Sequence, residues 1–377
     1  MFNILDVLIY VEDPGAANFV ARVPSGLRAR GYSVLFGTRG NAKSYLEGQG
    51  VDSMVVHESM TADSLLESCR PRVLLVGTSE DLEPLGLNLI AQAKKNKISS
   101  VGVVDGIANA AFRFRGKTMD PLAFSPEWLL VPDEPTKNAY VHIGFPAGRI
   151  AVVGHPRYEE VKDQARLFER IGVQELRRRL FPSAREGQKI VVFLSEVSTG
   201  LNPEQFKRSK EYSLLGRGES IYRTEIIVEE FLDAIAPFRS GVHSVLRLHP
   251  KNKAEDLARY HREFDQISHA EPPLELVYAS DLSVGMTTIL LQEAALMGKR
   301  TFSIVPREEE RAWLPGSIDC VTQRSLIQKK LESLLFGESF PNAGSLNTIS
   351  EPLERVLGFL GELLAEKKRL TGQRHGE

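Results

Sequence analysis

Short β-branched runs alternate with longer stretches of helical period along this chain, and the pattern occurs twice. In the first half "VLIYV", "SVLFGT", "RVLLVGT", "SSVGVVD", "EWLLVPD" and "IAVVGHP" are separated by "FVARVPSGLRARG", "AKSYLEGQG", "LGLNLIAQAKKN" and "EPTKNAYVHIG". Strands that alternate with helices pair in parallel through crossover connections, which leaves an open doubly wound sheet as the economical fold. A charged stretch without a strand-like run follows, "RYEEVKDQARLFERIGVQELRRRLFPSAREGQ", and reads as helices leading to a linker. The pattern then restarts with "KIVVFLSE", "SVLRLHP", "LELVY", "SDLSVGM" and "RTFSIVP", interleaved with "YRTEIIVEEFLDAIAPF", "KAEDLARYHREF", "TTILLQEAALMGK" and "SLIQKKLESLLF". The last segment, "SEPLERVLGFLGELLAEKKRL", carries leucines and a phenylalanine at helical spacing and predicts a long terminal helix with a basic tail. A length of 377 residues exceeds what one core usually serves, so two domains are expected.

The charge balance narrows the partners. Lys and Arg number 47 against 49 Asp and Glu, for a net charge of -2, so no global basic field points to nucleic acid. Cys69 and Cys320, the two cysteines, lie far apart in sequence and form no CxxC pair, which argues against a disulfide framework and a structural zinc and fits a reducing cytoplasm. The amino terminus lacks a basic leader and reaches acids by residue 12, so it reads as a first strand. No run approaches the roughly 18 apolar residues of a membrane helix, and any membrane contact is expected to be peripheral.

Glu12 and Asp13 close the first strand in "LIYVEDPGAANFV". A turn that cradles a dinucleotide needs closely spaced glycines and no fixed negative charge, so no redox cofactor is expected here or in the second half. The acids have two readings: a carboxylate pair facing a substrate hydroxyl, or a turn in which Asp13 caps the first helix. Asp105 and Gly106 end "SSVGVVD" and offer the same choice. "FRFRGK", with Arg113, Arg115 and Lys117, is either a grip for an anionic acceptor or a solvated loop.

The second half offers donors instead. "VLRLHPKNK" leaves a strand with Arg247 behind it and His249, Pro250 and Lys251 at the turn, cationic groups where a phosphate could sit. In "SDLSVGMTTILLQEAALMGKR" a strand ends at Gly285, Met286 follows, and Thr287 and Thr288 stand at a helix start, which is either an anion site or a capping pair. Glu293, one turn further on, could accept the hydroxyls of a ribose or lie on the wet edge of a buried helix. "FLSEVSTG" adds Ser195, Ser198, Thr199 and Gly200 as donors. No HExxH, dense Asp/His cluster or D-x-D stretch appears, so metal-independent chemistry is expected.

The paired sheets, "VVGHPRYE", "RLHP", "TTILLQEAALMGK" and the final helix resemble the two-domain glycosyltransferases of the GT-B fold. "RLHP" is similar to the His-Pro motif of bacterial sialyltransferases and related capsule transferases, and Thr287 with Thr288 to their paired Ser/Thr motif. More distantly, the segment around Glu293 resembles the nucleotide-binding helix of UDP-N-acetylglucosamine 2-epimerases. "VVDG" resembles the acid-acid-Gly motif of sialyltransferases, with Val104 at the first acid, which implies Asp105 as the base on an acceptor hydroxyl.

The resemblance implies two Rossmann-like domains: residues 1–165 for the acceptor, a helical linker over 166–187, residues 188–345 for the donor, and a helix and tail over 346–377. It implies a nucleotide-sugar donor, leaning towards a CMP-linked sugar, and a surface-glycan or lipid-linked acceptor. Asp105, Asp13 and Glu12 would face the acceptor. Arg247, His249, Lys251, Met286, Thr287, Thr288, Glu293 and Ser195 would hold the donor, without cofactor or metal, in the cytoplasm or at the inner face of a membrane. Two other functions fit the same residues: an epimerase acting on one bound nucleotide sugar, and a non-catalytic nucleotide-sugar-binding subunit.

Overall fold

The computed structural model describes residues 4–79, 81–253, 255–337 and 348–373. The chain divides into two compact units, Met1–Arg157 with Thr348–Glu377, and Tyr158–Asn347.

The first unit is built on seven strands: β1 (Val7–Val11), β2 (Val34–Thr38), β3 (Met54–Val55), β4 (Val73–Gly77), β5 (Ser99–Val103), β6 (Trp128–Val131) and β7 (Ile150–Val152). They pair in parallel in the order β3-β2-β1-β4-β5-β6-β7. The strand order reverses between β1 and β4, the switch point at which open α/β sheets bind ligands. All five residues of β1 are buried because both faces are covered. Val7, Ile9 and Val11 pack with Ala16, Ala17 and Phe19 of helix α1 (Pro14–Val20) and with Val356, Leu360 and Leu364 of the final helix, Pro352–Gln373. Leu8 and Tyr10 face Leu85, Leu89 and Ile90 of helix α2 (Leu85–Lys95). The final helix therefore belongs to the first unit, across the 190 residues of Tyr158–Asn347. Gly154 marks the entry of that segment: its φ is +82°, and a Cβ there would stand 2.9 Å from Cβ of Pro352. The tail beyond Gln373 lies outside the described residues.

The second unit carries β8 (Lys189–Leu194), β9 (Val242–Arg247), β10 (Gln266–Ser268), β11 (Leu282–Gly285), β12 (Thr301–Ile304) and β13 (Asp319–Val321), all parallel, in the order β10-β9-β8-β11-β12-β13. Its switch point lies between β8 and β11. The charged stretch after the first sheet forms helices α3 (Arg157–Ile171) and α4 (Val173–Leu180). Their apolar faces, with Val161, Phe168, Leu176 and Leu180, join Ile190, Val192 and Leu194 of β8 in one core. Val191 and Phe193 point the other way, into helix α5 (Arg223–Ile235).

Two expectations fail here. "LELVY" is not a strand but lies in a helix, Pro273–Ala279, because proline at its first position is preset for helical φ and a run of five residues is too short to fix a period. The strand expected there is β10, too short and polar to stand out. "KAEDLARYHREF" is not an α-helix: among its described residues only Ala258–Glu263 is helical, as a 3₁₀ turn. Among the described residues no helix is long and apolar enough to cross a membrane.

His155, in "VVGHPRYE", is 1% exposed, packs its ring 5.0 Å from that of Phe19, and accepts the Arg157 N–H at Nδ1 (3.3 Å). Burial pushes its imidazole from 6.5 down to about 3. Between those values the unfolded chain holds a proton that the folded one does not. The contribution of His155 is therefore complete above pH 6.5 and is lost as pH falls toward 3, with a slope of about 1.4 kcal/mol per pH unit. His155→Asn, whose side-chain oxygen can accept the same N–H, is expected to flatten the acid limb of stability by that slope in chemical denaturation at several pH values. An acid limb as steep as the wild type's would refute the assignment.

Candidate functional site

The sequence-predicted acids of the first unit gather at the carboxyl ends of β1 and β5, in two different settings. Glu12 turns toward α2: its Oε1 accepts from Tyr10 Oη (2.7 Å) and Leu85 N–H (3.2 Å), and its Oε2 from Gly86 N–H (3.3 Å). It caps a helix whose N-cap position is held by Pro84, which has no side-chain oxygen to offer. Burial raises its carboxyl above the usual range, against the pull of these hydrogen bonds. Asp13 is the N-cap of α1 and accepts the Gly15 N–H at 3.3 Å. Asp105 is placed differently. Its Oδ2 lies so close to the first turn of α1 that a Cβ on Gly15 would stand 2.0 Å away. Glycine at 15 is thus what lets the carboxylate lie against the Asp13-Pro14-Gly15 turn.

Arg113 backs Asp105. Its guanidinium stands 3.7 Å from Asp105 Oδ1 with a side chain 9% exposed, and it donates to the Ala108 carbonyl (3.2 Å) and Thr78 Oγ1 (3.5 Å). The rest of "FRFRGK" diverges: Phe114 is core, Arg115 stacks on the Phe112 ring at 4.0 Å, and Lys117 pairs with Glu83.

In the second unit the turns after β8 and β9 lock together. Ser195 Oγ accepts the His249 N–H (2.9 Å) and donates to Asn252 Oδ1 (2.9 Å), which also accepts the His249 N–H (2.9 Å). His249 Nδ1 accepts the Lys251 N–H at 3.1 Å. A neutral imidazole held that way carries its proton on Nε2 and presents a donor there. Arg247 is turned inward: it donates to Ser268 Oγ (3.0 Å) and pairs with Glu271 at 3.8 Å, and burial holds its guanidinium below the usual range.

Thr288 is the N-cap of helix α6 (Ile289–Leu296) and accepts the Leu290 N–H at 3.4 Å. Met286 is wholly buried, and its carbonyl accepts from Ser303 Oγ (2.6 Å). Glu293 is 5% exposed on the same helix. Thr287 faces a residue that sequence reasoning passed over, Glu196. Thr287 N–H donates to Glu196 Oε1 (2.6 Å), and Thr287 Oγ1 to Glu196 Oε2 (3.1 Å). Glu196 Oε2 also takes Arg223 Nη1 (2.7 Å), while Arg223 Nη2 reaches Thr287 Oγ1 (3.1 Å) and Glu310. Arg223 and Glu310 are fully buried. Burial alone would lower the Arg223 guanidinium, but the carboxylates of Glu310 and Glu196 more than offset it and hold it above its ordinary range. Glu196 was visible as an acid at a strand end in "FLSE". Arg223 was not, since a charged residue opening an amphipathic helix is ordinarily solvated.

No family model and no curated protein sequence matches the chain. Solved structures do. The UDP-GlcNAc 2-epimerase of Neisseria meningitidis bound to UDP-GlcNAc superposes with a TM-score of 0.65 at 14% identity, over 96% of this chain and 100% of that one. The UDP-GlcNAc 2-epimerase of Methanocaldococcus jannaschii in complex with UDP-GlcNAc and UDP gives 0.65 at 15% identity, over 95% and 100%. A variant of the wall teichoic acid polymerase TagF gives 0.55 at 12% identity, over 97% and 90%. The chain has a GT-B-like fold. β1 and β8 lie at the switch points of the two sheets, and Glu12 and Asp13 follow β1, Asp105 follows β5, Ser195 and Glu196 follow β8, His249 follows β9 and Thr287 follows β11.

Proposed function

We propose that this GT-B protein is a nucleotide-sugar enzyme that transfers a sugar to a hydroxyl acceptor on a surface glycan or a lipid carrier, without a metal. The observation that carries the reading is the division of labour among the three strand-end acids. Glu12 and Asp13 accept from backbone N–H groups at helix starts, while Asp105 lies against the first turn of α1, where Gly15 leaves it room, and pairs with Arg113. An acceptor hydroxyl has a very high pKa and must lose its proton as it attacks the anomeric carbon, and one positioned carboxylate suffices for that. Asp105 is that base. In the second unit, His249 Nε2–H and Lys251 meet the departing phosphate, and Thr287, Thr288 and Ser195 shape the turns beneath it. Glu293 takes the ribose hydroxyls. Arg247 and Met286 support these turns from inside.

Epimerisation is the second reading, favoured by the superposition of two UDP-GlcNAc 2-epimerases over nearly all of this chain. It uses the same donor pocket on one bound substrate.

A thermal-shift panel of CMP, UDP, GDP, CDP and TDP tests the common part. A ligand that binds only the folded chain adds about 2.7 kcal/mol at 100 times its Kd, so one nucleotide is expected to raise the melting temperature clearly and the others not. No responder would refute the nucleotide-sugar reading. Incubating the matching sugar donor alone then separates the two reactions: a new sugar or free nucleotide formed without acceptor favours the epimerase, an unchanged donor the transferase.

A further inference from the structure

The geometry points to Glu196 as an internal anion seated on the phosphate-binding groups of the second unit, which a nucleotide phosphate must displace. The inference rests on the nucleotide-sugar reading above and specifies how that pocket is guarded. Glu196 follows β8 and Thr287 follows β11, so their contact spans the switch point of the sheet, the place where the topology favours a ligand. The carboxylate gathers what a phosphate oxygen would seek: a backbone N–H, a hydroxyl and a guanidinium, at 2.6, 3.1 and 2.7 Å.

The guanidinium is the second sign of an anion seat. Both terminal nitrogens of Arg223 touch the Glu196–Thr287 pair, and its Nε–H is buried without an acceptor among the described residues. A fully buried arginine placed at a switch point is suited to fork-like recognition of two oxygens. Glu310 keeps it charged and fixed from behind, so the seat survives when Glu196 leaves. Glu196 is less enclosed than its partners in the ion pairs, its side chain 13% exposed against 0% for Arg223 and Glu310, so it is the carboxylate that leaves. A phosphate and a carboxylate cannot share these donors, because two anions at hydrogen-bond distance repel. Each must exclude the other.

The test uses inorganic pyrophosphate, which reports the seat without the base or sugar. Calorimetric titration into the full chain and into Glu196→Gln is expected to show pyrophosphate binding about tenfold or more tighter in the variant, since the amide keeps the shape and removes the competing charge. In the Glu196→Gln, Thr287→Val double variant the gain should disappear. Affinity that is equal or weaker in Glu196→Gln, including no binding to either protein, would overturn the inference and leave Glu196 a support for Thr287. Failure of the underlying reading looks different. There no nucleotide stabilises the wild-type chain, whatever Glu196→Gln does to pyrophosphate.

Discussion

Asp105→Asn is expected to lower turnover of the sugar donor by about 10²- to 10⁴-fold, the range of a lost general base, while leaving nucleotide-induced thermal stabilisation intact. The amide keeps the size of the side chain and its place beside Gly15 but no longer takes a proton. Gly15→Ala approaches the same carboxylate from the other side. Its new methyl would stand 2.0 Å from Asp105 Oδ2, far inside contact distance, so either α1 or Asp105 must move. A cost of about 1–3 kcal/mol in stability is expected for such overpacking, with turnover lost alongside it. In an Asp105→Ala background the oxygen is gone, and the same Gly15→Ala change should cost far less, a coupling that a double-mutant cycle reads directly. Full turnover in Asp105→Asn would remove Asp105 from the chemistry. Additive stabilities in the cycle would remove the contact.

Arg223→Met should destabilise the second unit by about 3–5 kcal/mol, because it removes the ion-pair partner of Glu310 in the interior. The Glu310 carboxyl is already raised above its usual range by burial, against the attraction of Arg223. Without that arginine its affinity for protons rises further. Its folded-state pKa then exceeds the unfolded value, so the variant's stability falls as pH rises through it, and the gap to wild type narrows in acid. Chemical denaturation at about pH 5 and about pH 8 measures the difference. Replacing Glu310 by Leu in the Arg223→Met chain should recover most of the loss, since an isolated buried charge is what costs. Equal stability of Arg223→Met and wild type at both pH values would show that the pair is solvated in solution.

Much of the framework is legible in the chain because parallel strands buried on both faces must be apolar throughout. "VLIYV", "VLLVG" and "IVVFL" are such runs. β3, β10 and β13 were not legible: at two or three residues each they carry no period, and they exist only because longer neighbours offer them an edge. The "LELVY" segment failed for the related reason that so short a run, four apolar residues around Glu275, suits a helix as well as a strand, and the proline before it decided it.

At the candidate site, residue type predicted place better than partner. Glu12, Asp13, Asp105, Ser195, His249 and Thr287 could be set at strand ends by counting along the pattern, because the end of a strand is a local property. That Glu12 would cap a helix 73 positions away, that Gly15 is small for the sake of Asp105, or that Thr287 would give its N–H to Glu196 could not be read that way. Those pairings arise where crossover connections bring neighbouring strands together from distant parts of the chain. Sequence alone settled the two α/β sheets, the long last helix and the strand ends where chemistry belongs, since hydrophobic periodicity acts over a few residues. Tertiary structure alone decided which unit that helix joins and which carboxylates are spent on caps. Buried polar atoms must find partners, and the partner is whichever group the fold brings within about 3 Å.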